Sequence, residues 1–300
     1  TVTVQDSTIE SSDGMAISMS GGEVTLSGTT VKNEGPEVAC VSVSGGTLSV
    51  TSGSQIVGEG GNAISISGGE LNLKDTTVTT SGTGDFKGIS MSCYDEAIPV
   101  VVNMDGGEVK APNSSGAAVY IDDSDNCKFV LTGGGKITGN SSGLEMNGGT
   151  FVMLGGEIEA TSADANAVVL RAAVFAMTDS YAEKTATGSN RVASVSYSGE
   201  QNYLFFGGNS NVGTINWSIN SGAMLYLAQC SAISGDAGVF TTLRNVNSEF
   251  GTCNLITNLF TSDTLPIGFT IIEPDSDLFK FDPDNCVWYE AEVGVSIPIS

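Results

Sequence analysis

Histidine is absent from the 300-residue chain. That removes the Ser-His and Cys-His pairs, the imidazole general base and the His metal ligand at once. Positive charge is scarce: 11 Lys and Arg stand against 34 Asp and Glu, for a formal net charge of -23. Such a chain repels phosphate backbones and anionic lipid surfaces alike, so no nucleic-acid partner is expected. Long apolar runs are also missing. Ile98-Pro99-Val100-Val101-Val102 and Tyr203-Leu204-Phe205-Phe206 are among the longest, far short of the ~18 residues of a spanning helix, so no transmembrane segment is expected. The six cysteines, at 40, 93, 127, 230, 253 and 286, contain no C-x-x-C pair, which argues against a zinc ribbon or a thioredoxin-type motif. Proline contributes only 7 residues, so the 39 glycines are not collagenous; they serve backbone positions that a Cβ would forbid.

What is present is a repeat. Val24-Thr25-Leu26, Leu48-Ser49-Val50, Leu71-Asn72-Leu73 and Val109-Lys110-Ala111 each follow a Gly-Gly pair, namely Gly21-Gly22, Gly45-Gly46, Gly68-Gly69 and Gly106-Gly107. Another alternating triplet precedes each pair: Ile17-Ser18-Met19, Val41-Ser42-Val43, Ile64-Ser65-Ile66 and Val102-Asn103-Met104. A shorter element carries one apolar residue, at Ile9, Val31, Ile56 and Val78. Residues i and i+2 are apolar and their neighbours polar, the period of a sheet buried on one face. An amphipathic helix would need a 3.6-residue period and few glycines. A β-sandwich suits short strands but has no reason to repeat the same unit in register.

The first apolar residues after each corner are Val2, Val24, Leu48, Leu71, Val109, Ile137 and Ile158, separated by 22, 24, 23, 38, 28 and 21 residues. A step of 22 to 24 residues predicts an all-β parallel β-helix, a solenoid whose coils stack at the ~4.8 Å strand spacing. The 38-residue step predicts an outward loop around Thr83 to Pro99. Regular coils are expected to about residue 180 and degenerate coils to 260. Residues 261–300, rich in Pro, Asp and aromatics, are expected to form a C-terminal β cap or the start of a following module.

The chain resembles the right-handed parallel β-helix proteins of the pectate-lyase-like group. It also resembles Gly-Gly-Thr and Gly-Gly-Glu repeat regions of bacterial cell-surface, adhesin-like proteins. The matching segments are Ser-Gly-Gly-Glu at 20–23, Ser-Gly-Gly-Thr at 44–47, Ser-Gly-Gly-Glu at 67–70 and Asn-Gly-Gly-Thr at 147–150. The likeness covers about residues 1–180. It implies a right-handed parallel β-helix, a carbohydrate ligand and, for the enzymes of the group, cleavage of acidic polysaccharides. Their motifs are not found here: Arg171, Arg191 and Arg244 are isolated, and no Arg-x-Pro-x-x-Arg segment occurs.

Three acidic clusters offer the hard oxygen ligands calcium (Ca2+) prefers. They supply Asp122, Asp123 and Asp125; Asp275 and Asp277; and Asp282 and Asp284. None has the EF-hand spacing. Asp122-Asp123 could also serve as acid and base, although a solvated turn explains the pair as well. No other cofactor is expected. Tyr94 stands beside Asp95 and Glu96 in the expected loop, an aromatic plane next to carboxylates, and these three are the candidate ligand-binding residues. Cys230 and Cys253 lie 23 residues apart, one coil, so they are a candidate disulfide or a pair of stacked thiols. On the outer face Glu23, Thr47, Glu70, Glu108, Lys136 and Glu157 form an expected ladder, in which Glu70 beside Glu108 would repel.

The expectation is a secreted or cell-surface, monomeric protein, part of a longer precursor because the chain opens on strand-like Thr1-Val2-Thr3-Val4 with no leader. Its β-helix would present a surface for adhesion, to a glycan or another host or cell-surface ligand, without catalysis. A polysaccharide lyase or glycoside hydrolase working through carboxylates, and a passive structural spacer, are the alternatives.

Overall fold

A strand with one apolar face must bury that face and satisfy hydrogen bonds along both edges. In the computed structural model the chain meets both demands by coiling on itself. Backbone and side chains are described for residues 1–93, 98–122, 126–177 and 190–198. Later in the chain the description covers the strands 180–181, 184–185, 202–207, 210–217, 223–228, 232–233, 240–245, 271–272, 279–282 and 287–290. All described regular structure is β, and the fold is a parallel β-solenoid of about seven turns.

Each turn contributes to three parallel sheets. The first runs through Val2–Gln5, the second halves of Ile17–Ser27 and Val41–Thr51, then Gly69–Lys74, Val100–Asp105, Cys127–Thr132, Thr150–Met153 and Val174–Met177. The second runs through Thr8–Ser11, Thr30–Pro36, Gln55–Gly60, Thr77–Thr80, Glu108–Ala111, Gly135–Gly139 and Gly156–Ala160. The third uses the first halves of Ile17–Ser27 and Val41–Thr51, then Ile64–Ile66, Ile89–Met91, Ala117–Ile121, Ser142–Met146 and Val168–Arg171.

The expected apolar column exists. Val24 pairs with Leu48 and Leu48 with Leu71, and the column continues through Val102, Phe129, Phe151 and Phe175. From Leu48 onward every member is fully buried, at 0% exposure. Ile56, Val78, Val109, Ile137 and Ile158 line the second sheet, and Ile64, Ile89, Val119, Leu144 and Val168 the third. Phe129, Phe151 and Phe175 stack with ring centroids 4.9 and 5.7 Å apart and planes 11° and 25° from parallel. Aromatic pairs ordinarily favour edge or offset contacts; here the strand spacing imposes the stack.

Three expectations need correction. Val109, Ile137 and Ile158 belong to the second sheet, not to the column of Val24, Leu48 and Leu71. The apparent 38-residue step therefore compared residues on different faces. The matched steps are 31 residues in both columns, Leu71 to Val102 and Val78 to Val109. The reason is that Gly-Gly marks two different corners: Gly45-Gly46 turns the third sheet into the first, whereas Gly106-Gly107 turns the first into the second. The stretch 83–99 is likewise not one loop, because Ile89–Met91 within it is a strand of the third sheet. The ladder divides in the same way. Glu70 follows Thr47 on the first sheet, while Glu108, Lys136, Glu157 and Arg191 succeed one another on the second, so Glu70 and Glu108 are not neighbours. Its signs alternate instead of repelling. Lys136 Nζ lies 2.8 Å from Glu159 and 3.4 Å from Glu157; the bond to Glu159 raises the lysine pKa and lowers that of the carboxyl.

Backbone pairing continues past residue 180 through Asn190–Ser198, Asn202–Gly207, Ser210–Trp217, Ala223–Ala228 and Phe240–Asn245. Beyond 261, Ile271–Ile272 lies parallel to Leu243 and Arg244, and Phe279–Asp282 pairs antiparallel with Val287–Glu290.

Truncating the middle ring of the stack, Phe151→Ala, is expected to cost about 3–5 kcal/mol in urea unfolding, because the fixed rungs above and below cannot collapse into the cavity. Gly46→Ala and Gly134→Ala separate two glycine roles. Both have positive φ, +85° and +73°, but a Cβ at Gly46 would lie 2.4 Å from the Gly22 carbonyl oxygen whereas Gly134 faces open space. Gly134→Ala is expected to cost only the left-handed backbone penalty of about 1–2 kcal/mol, and Gly46→Ala measurably more in the same assay.

Candidate functional site

In each third-sheet triplet the central residue points away from the core. Register sets Ser18, Ser42, Ser65, Ser90, Tyr120 and Glu145 in one outward row, one rung or ~4.8 Å apart. Four hydroxyls in succession leave a narrow floor, and the loops joining the second sheet to the third rise beside it. The result is a groove of about 450 Å³ over Ser42, Ser65, Ser90 and Tyr120, walled by residues of the loops at 37–39 and 85–87, with Met15 and Asn62.

The wall at 85–87 is built by local chemistry. Ser114 is fully buried, and its hydroxyl oxygen lies 2.7 Å from the Gly84 carbonyl and 2.5 Å from that of Phe86 while accepting from the backbone N–H groups of Phe86 and Gly116 at 3.0 and 2.9 Å. Phe86 lays its ring against the backbone of Gly82 and Gly84, where a Cβ would come within 2.6 and 2.7 Å of it. The Lys87 N–H donates to Asn62 Oδ1 at 2.8 Å, and Asn62 Nδ2 donates to Ser65 Oγ at 3.2 Å, which ties wall to floor. Lys87 Nζ sits 2.9 Å from Asp85 Oδ2 and 5.2 Å from the centre of the Tyr120 ring.

A polar network closes the Tyr120 end. The phenol donates to Asp122 Oδ1 at 3.2 Å and accepts from Asn147 Nδ2 at 2.8 Å. Arg171 donates to Asn147 Oδ1 at 2.8 Å and Glu145 Oε1 at 2.7 Å. Burial, helped by the Asp122 charge, raises the phenol pKa, so Tyr120 stays neutral and keeps its proton for hydrogen bonding. Hydroxyls that both donate and accept, a flat aromatic face and one amide make a surface suited to ligands rich in hydroxyl groups.

Of the sequence candidates, Asp122 alone has a described side chain, and it stands at this closed end. Tyr94, Asp95 and Glu96 lie outside the described residues, as do Asp123, Asp125, Asp275, Asp277, Asp284, Cys230 and Cys253. Asp282 is described only as backbone, in Phe279–Asp282. Among the described residues no three Cys, Asp or Glu gather closely enough to hold a metal ion, and no helix is long and apolar enough to cross a membrane. Sequence reasoning found the Ile-Ser-Met, Val-Ser-Val and Ile-Ser-Ile triplets but did not assign their serines a role. The signal was there, in the recurrence of one hydroxyl at the same outward position. No protein family, curated protein or solved structure matches the chain.

Ser114→Ala is expected to loosen the 84–87 wall without unfolding the solenoid, leaving two N–H groups without their acceptor at a cost of about 1–3 kcal/mol. Amide hydrogen exchange reads this directly: the Phe86 and Gly116 amides should exchange faster while Ile64 and Val119 on the sheet stay protected.

Proposed function

We propose that this is a non-catalytic, secreted or cell-surface protein that binds carbohydrate in the third-sheet groove. The observation that carries the reading is the row Ser42, Ser65, Ser90 and Tyr120, in which hydroxyls spaced by one rung lead to an aromatic ring. A sugar chain presents the complementary pattern, ring hydroxyls that donate and accept along its edges and C–H faces that stack on aromatics. The groove is already formed, its 84–87 wall braced by Ser114 and tied to the floor through Asn62, so little ordering entropy opposes binding. The resemblance to Gly-Gly-Thr and Gly-Gly-Glu repeat proteins of bacterial surfaces supports the setting, and calcium remains an optional ligand of the acidic clusters on this reading.

The test is a glycan array, with and without calcium, followed by titration of the hits. Wild type is expected to bind at least one oligosaccharide class, and Tyr120→Ala to weaken that binding by about 1–3 kcal/mol through lost stacking and hydrogen bonding. A blank array in both conditions defeats the proposal, as does binding that Tyr120→Ala and Ser65→Tyr both leave unchanged.

A further inference from the structure

Resting on that reading, we infer that the groove selects neutral oligosaccharides and rejects uronic, carboxylate-bearing ones. Among the described residues the groove lining holds two carboxylates, Glu37 and Asp85, against one ammonium, Lys87. The ammonium is already committed. Of its three N–H donors, one meets Asp85 Oδ2 at 2.9 Å and one the Asp85 carbonyl oxygen at 3.0 Å, while the Tyr120 ring faces the same group at 5.2 Å. The Lys87 side chain is only 16% exposed, whereas those of Asp85 and Glu37 project into solvent. At the closed end the cation of Arg171 is held by Glu145 and Asn147, with Asp122 beyond.

A uronate entering this groove would give up hydration of its carboxylate, find no uncommitted cation among the described lining residues, and lie beside Asp85 and Glu37 on a chain of net charge -23. A neutral sugar meets none of these costs. Its hydroxyls can donate to Asp85 and Glu37 and exchange hydrogen bonds with Ser42, Ser65 and Ser90. The carboxylates that repel one class are acceptors for the other, which makes the discrimination a difference of affinities and not merely weak binding overall.

The experiment compares linkage-matched neutral and uronic oligosaccharides, for example galactan against galacturonan fragments of equal length, by calorimetric titration in calcium-free buffer at low and high salt. The neutral series is expected to bind at least about tenfold more tightly at low salt, equivalent to ~1.4 kcal/mol, with the gap narrowing as salt screens the carboxylates. Asp85→Asn removes one repelling charge and releases Lys87, and should narrow the gap by about tenfold. Circular dichroism confirms that the variant is folded, and Glu37→Gln provides a second variant, outside the Lys87–Asp85 ion pair, expected to narrow the gap in the same direction. Uronic fragments that bind as tightly as neutral ones, or a gap that neither variant moves, overturn the inference while leaving the groove as a glycan site. Failure of both series to bind overturns the groove reading together with it.

Discussion

Parallel register between successive turns is the constraint on which the rest of this structure depends. Each rung hydrogen-bonds to the one below, residue for residue, so a side chain's face is set by parity, and a slip of one residue would turn the whole core outward. Because Leu48 must lie over Val24 and Leu71 over Leu48, their polar neighbours are forced into rows on the outside. The phenylalanine stack, the alternating Glu108, Lys136, Glu157 and Arg191 ladder, and the serine row of the groove are inner and outer products of that same rule. The energetics are correspondingly local: each turn is stabilised mainly by its two neighbours.

The three corners are not equally free. First-to-second corners take two or three residues, as at 28–29, 52–54 and 106–107, and polar groups buried there bond back to the rungs. Thr76, for example, sets its hydroxyl 3.0 Å from the carbonyl oxygen of Val50 one turn away. Second-to-third corners vary from two residues at 140–141 to eight at 81–88. Length can vary there because the loop projects outward and leaves the register of both sheets intact. That freedom raises walls beside the third sheet, which is why a recess forms along this face.

Charge gives the recess its chemical character. The outer surface of a β-solenoid is a set of parallel rows, and a row of hydroxyls is neutral and bifunctional. The cations around it are held internally, Lys87 by Asp85 and Arg171 by Glu145, while the Glu37 carboxylate lines the groove exposed, so the floor between them offers directional hydrogen bonds beside negative rather than positive charge. On the proposed reading, this lets an acidic chain contact a hydroxyl-rich partner despite an overall charge that repels anions.

Much of the architecture was legible in the sequence, because alternation with a recurring Gly-Gly specifies both the strand face and the turn length: Val24, Leu48 and Leu71 stack as their spacing predicts. The assignment of Val109 to that column failed since Gly106-Gly107 looks like Gly45-Gly46 in sequence yet bends the chain at a different corner. The serine floor of the groove was legible in its recurring hydroxyl; the walls were not. Asp85, Phe86 and Lys87 lie in a loop without period, and their meeting with Ser65, Asn62 and Tyr120 depends on which loops rise from the same edge of the prism. Sequence by itself determined which side chains face inward and how often the chain returns, since both follow from the two-residue period of a strand. Only the tertiary structure decided which sheet each strand joins and which loops share a wall, because those depend on the bend at each corner, and a corner's direction is a backbone geometry that residue identity leaves open.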